Sequence, residues 1–83
     1  MNTIRTINTE YLRPSRTIET VLVSHFSFEK VFFIYNYEGY SFRLFETHLG
    51  LLNFFHDNET KSDFLFETEE QLDSFLLNIE LKN

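Results

Sequence analysis

The sequence predicts an α+β fold: a two-layer sandwich of order βββαβα, with two helices on one face of a four-stranded mixed sheet. Three observations carry that expectation. A βα unit is repeated: Ser41, Leu44, Phe45, Glu46, Thr47, Leu51, Phe54 and Glu59 recur 21 positions later as Ser62, Leu65, Phe66, Glu67, Thr68, Leu72, Phe75 and Glu80. The shared core, L-F-E-T-x-x-x-L-x-x-F, describes a strand end, a helix cap and one apolar helical stripe. Two runs rich in β-branched and aromatic residues precede the first copy and read as strands. Eleven Phe and four Tyr among 83 residues supply core volume in a chain without cysteine, each aromatic burying ~150–250 Å².

Residues 1–16 read as a weakly ordered N-terminal arm, because Thr and Asn separate Ile4, Ile7, Tyr11 and Leu12. Arg13-Pro14-Ser15-Arg16 closes it as a turn, since proline fixes φ and lacks a donor. Residues 17–83 form the single domain. Its first strand is 18–26 and its second 30–37, and the short Ser27-Phe28-Glu29 link makes them antiparallel. Glu38-Gly39 is a turn, with glycine free to take positive φ. Residues 40–46 alternate Tyr40, Phe42 and Leu44 with Ser41 and Arg43, the pattern of a half-buried strand.

Thr47 caps a helix over 48–57, and a polar loop follows. Residues 63–67 make a short strand, and Thr68-Glu69-Glu70-Gln71 fits a capping box, with the glutamine reaching back to the cap amide. Leu72, Phe75, Leu76 and Ile79 form the buried stripe of the last helix, while Leu51, Phe54 and Phe55 pack the first. A strand–helix–strand passage with short links predicts that the last two strands are parallel, joined by a right-handed crossover.

Net charge is −6 and uneven. Residues 1–16 carry +2, and the remainder carries −8. Such a body keeps a Phe-rich domain soluble, repels phosphate backbones and attracts basic surfaces, so the balance argues against nucleic acid as partner. No cysteine and no H-x-x-x-H is present, and His48 and His56 lie eight apart on one helix, so no metal ligand set is visible. There is no G-x-S-x-G, and the two glycines, Gly39 and Gly50, cannot build a phosphate-cradling loop. The expectation is a protein with no catalytic residue, cofactor or metal. No secretory h-region occurs in the first twenty residues, and the longest apolar run, Val31 to Tyr35, is too short to span a membrane. The expected location is cytoplasmic.

Two features point to protein contacts. Val31 to Tyr35 has no polar residue at either parity, so helices on one face leave the other set open. Phe32 and Ile34, or Phe33 and Tyr35, are therefore the expected contacts of a two-fold homodimer. On the last helix, Leu77 lies among Glu69, Glu70, Asp73 and Glu80, which suits a basic, partly apolar protein partner.

In size, acidic balance and Asn-, Phe-, Ile-, Lys- and Glu-rich usage, the chain resembles small accessory proteins of phages and mobile elements, a likeness of composition that covers no motif. It implies a stoichiometric inhibitor that occupies a basic, nucleic-acid-binding site on a target protein. The alternative is a self-associating structural or regulatory module without such mimicry.

Overall fold

A computed structural model describes residues 2–12, 15–26, 28–57 and 61–79. Among these residues, five strands and two helices follow in the order β1 (Thr3–Leu12), β2 (Arg16–His25), β3 (Phe28–Tyr37), β4 (Ser41–Phe45), α1 (His48–His56), β5 (Phe64–Phe66) and α2 (Glu69–Asn78). The fold is α+β, and its sheet is antiparallel throughout, with spatial order β1-β2-β3-β4-β5.

Within residues 1–16, expected as an arm, Thr3–Leu12 form a ten-residue edge strand. Thr3 pairs with Ser24 and Leu12 with Arg16. The register slips once, between Thr6 and Asn8, leaving Ile7 as the extra residue of a β-bulge. A bulge reverses which face the following side chains meet. Ile4, opposite Val23, therefore joins one face of the sheet, and Leu12, opposite Arg16, joins the other. The apolar residues of β1 lack simple alternation because the strand changes parity at its centre.

The last two strands are antiparallel, which corrects the expected crossover: Phe42 pairs with Phe66 and Leu44 with Phe64. Asp63 explains the return. Its backbone amide donates to the Leu44 carbonyl oxygen at 3.0 Å, and its carboxylate accepts from the Glu46 amide at 2.8 Å. That two-point clasp fixes the chain at the far end of β4, so β5 must run back alongside it.

The helices lie on opposite faces, so the molecule has a helix–sheet–helix arrangement where two layers were expected. Leu72 and Leu76 of α2 pack with Val21, Val23, Phe32, Ile34, Phe42 and Leu44, joined by Ile4, Phe66, Phe75 and Ile79. On the other side, Leu51 of α1 packs with Tyr35 and Phe45, joined by Leu12, Ile18, Phe33 and Phe54. This accounts for the two-sided apolar run in β3, since both of its faces are covered. Phe55, expected in the core, is 42% exposed.

Each helix begins as its sequence dictates. Thr47 accepts from the Gly50 amide at 3.0 Å, and Thr68 accepts from the Gln71 amide at 3.2 Å. Gln71 reaches back one residue further than a capping box requires, accepting from the Glu67 amide at 2.9 Å. The far end of α2 is held by a buried side chain. Asn2 Nδ2 donates to the Leu76 carbonyl oxygen at 3.1 Å and to that of Ile79 at 2.7 Å. These two carbonyls are orphaned by the end of the helix, and the start of the chain satisfies them.

Candidate partner-binding surfaces

Pro14, residues 58–60 of the polar loop and Glu80 lie outside the described residues. The other four residues expected at a partner site, Glu69, Glu70, Asp73 and Leu77, are exposed on α2. Glu69, Asp73 and Leu77 are spaced i, i+4, i+8 and so follow one flank of the helix. Leu77 is 53% exposed.

Packing brings two of these acids to a third that the sequence reading missed. A groove of about 240 Å³ between α2 and the sheet is bordered by Glu69 and Asp73 from the helix and Glu19 from β2. Thr6, Thr17 and Asn36 add polar groups, and Ile4, Val21, Ile34, Phe42, Leu72 and Leu76 add apolar ones. Glu19 is half-buried and accepts from the Thr6 hydroxyl at 2.6 Å. Its signal in the sequence is slight: Thr17 and Glu19 occupy the same parity as core residues Val21 and Val23, so the polar half of that line must border the core without joining it.

Three cations, Lys30, Arg16 and Arg43, are engaged elsewhere. Lys30 pairs with Glu46 at 2.8 Å, the one ion pair among the described residues. The Arg16 guanidinium lies 4.5 Å from the Tyr37 ring centroid, and that of Arg43 lies 5.3 Å from the Phe54 centroid. A side-chain hydrogen bond to Tyr37 raises the Arg16 pKa further above its ordinary value, with Tyr35 adding to the effect and burial opposing it. The macrodipole favours Glu69 and Glu70 in the first turn of α2. Asp73 and Glu19 have no such explanation.

The opposite face holds a larger, more apolar groove of about 390 Å³. Leu12, Ile18, Phe33, Leu51, Leu52 and Phe55 line it, with Asn8, Glu10, Thr20 and His48 at its polar positions. The His48 ring sits 5.3 Å from that of Phe33, tilted against it. The exposed side of α1 carries Leu49 and Leu52 beside Phe55.

The residues expected to mediate self-association are internal. Phe32, Ile34 and Tyr35 are buried, and Phe33 is half-buried under α1. The two helices cover parts of both faces, and of these four residues Phe33 borders the open groove beside α1. Among the described residues, no group of three or more His, Asp or Glu side chains could hold a metal ion, and no helix is long and apolar enough to cross a membrane. No family model matches the chain, and neither the curated proteins nor the solved structures compared with it give a match.

Proposed function

We propose that this protein is a small, non-enzymatic binding module that takes a basic, partly apolar segment of another protein along the α2 groove. The observation that carries this reading is the convergence of Glu19, Glu69 and Asp73 on one groove with apolar walls, with no cation of the described residues in ion-pair contact with them. Such a surface suits lysine or arginine, whose aliphatic stems lie on apolar ground while the charged head reaches a carboxylate. Glu70 and Leu77 extend the contact outward along α2. The net charge of −6 adds long-range attraction for the same partner.

Acting this way in the cytoplasm, the module is a stoichiometric inhibitor that occupies the basic, nucleic-acid-binding site of its target, in the manner of phage and mobile-element accessory proteins. The test is a backbone-amide NMR titration with a short peptide of alternating arginine and leucine, at low and high salt. Shifts should concentrate on α2, Thr6, Thr17 and Glu19, weaken as salt screens exposed charge, and disappear in Glu69→Lys/Asp73→Lys. Shifts confined to the α1 groove, or none at low salt, reject the reading.

A further inference from the structure

We infer that β1 is a self-complementary edge through which two copies of this chain pair, antiparallel, about a two-fold axis at the bulge. The inference does not rest on the α2 groove: it uses the outer backbone edge of β1, although the Ile4 and Thr6 side chains also line that groove. Strand β1 is the terminal strand of the sheet, ten residues long, and its outer edge has no neighbouring strand among the described residues. Such an edge presents a row of unpaired backbone donors and acceptors.

The register that overlaps the whole strand places Thr3 opposite the partner's Leu12. It then sets Arg5 against Glu10, Ile4 against Tyr11 and Thr6 against Thr9, each twice because the axis is two-fold. Opposite charges, a β-branched residue against an aromatic, and two threonines are the cross-strand pairs that stabilise antiparallel strands. Arg5, Thr6, Thr9, Glu10 and Tyr11 are exposed in the single chain, Tyr11 to 80%.

This register needs the bulge. Directly paired residues must share a face of the combined sheet. Arg5 and Glu10 are five apart and would face opposite ways in a regular strand. With Ile7 as the extra residue, Arg5 lies opposite Leu22 and Glu10 opposite Ile18, which puts both on the α1 face. Ile4, opposite Val23, and Tyr11, opposite Thr17, likewise share the α2 face. A bulge often turns an edge away from further pairing. Here it sits at the midpoint and brings the two halves of the strand into mutual register, with Ile7 and Asn8 meeting at the axis. A single strand pair buries less than the standard interface of roughly 1,600 Å², so the dimer is a weak one, populated at micromolar concentration and above.

The experiment is sedimentation equilibrium of the full chain over a dilution series, comparing wild type with Arg5→Glu, Glu10→Arg and an equimolar mixture of the two variants. Wild type should approach twice the 10.1 kDa chain mass. Each variant alone sets like charges opposite each other at both sites, and its dissociation constant should rise roughly tenfold or more. The mixture sets unlike charges opposite at both sites and should restore the dimer. A second readout needs no charge reversal: equimolar Thr6→Cys and Thr9→Cys chains, oxidised together, should cross-link with each other in preference to themselves. Wild type that remains a single chain throughout, variants that dimerise as wild type does, a mixture that stays monomeric, or cross-linking without that preference overturns the inference.

Discussion

Phe45 and Phe66 hold the same position in the two βα units, yet they point to opposite faces of the sheet. Each is the last residue of its strand and meets the equivalent phenylalanine of its own helix. The Phe45 and Phe54 ring centroids are 5.5 Å apart, and those of Phe66 and Phe75 are 5.3 Å apart. Locally, the two units are the same object. Globally they are inverted, because Phe66 pairs with Phe42 across antiparallel strands, and Phe42 and Phe45 differ in parity. An odd repeat offset combined with this register turns one helix up and the other down.

The Phe66–Phe75 contact makes the first prediction. Phe75 also lies 4.6 Å from the Phe64 ring, so it fixes α2 to the edge strand β5. Phe75→Ala should cost about 3 kcal/mol, the lower end for a phenylalanine because the site is only half-buried. Urea denaturation monitored by far-UV circular dichroism measures it. An unchanged midpoint would reject the packing of α2.

The second prediction concerns Asn2. It joins the first described residue to the end of the last helix, and it is only 8% exposed. Asn2→Ala leaves two carbonyl oxygens without their donor and should destabilise the fold by about 1–3 kcal/mol. Amide hydrogen exchange separates this from a general effect. Protection should fall first in the last turn of α2 and at the start of β1, and uniform loss would show that Asn2 does not clasp the helix.

What could be read from the sequence was local. The caps at Thr47 and Thr68, the Leu72–Leu76 stripe and strands β2 to β4 follow from hydroxyl placement, helical spacing and alternation, which involve neighbours along the chain. The sense of β5 could not be read in this way, because it depends on Asp63 clasping Leu44 and Glu46, a contact made only once the strand ends. The face of each helix depends in turn on that sense. Glu70, Asp73 and Leu77 were legible as an exposed flank from helical periodicity. Glu19 was not, since it reaches Glu69 and Asp73 only after α2 packs across β2. The N-terminal strand escaped notice for a different reason: its single bulge breaks the alternation that announces a strand.

That bulge supports the last prediction, a comparison of two changes in length. Ile7 is the extra residue opposite β2 and is 50% exposed. Deleting it leaves Thr6 opposite Val21 and Asn8 opposite Thr20, now as consecutive regular pairs, and every other side chain keeps its face. The deletion should therefore change stability by no more than about 1 kcal/mol, within the range of surface changes that touch no core residue. Inserting one alanine between Asn8 and Thr9 acts oppositely. It turns Thr9 to Leu12 onto the wrong faces and withdraws Leu12 from its contacts near Ile18 and Leu51. Loss of that side chain's burial alone should cost about 1.5–3 kcal/mol. Denaturant midpoints for the two variants decide the matter: the insertion must be the more damaging, and equal losses would mean that β1 is not held by the register described.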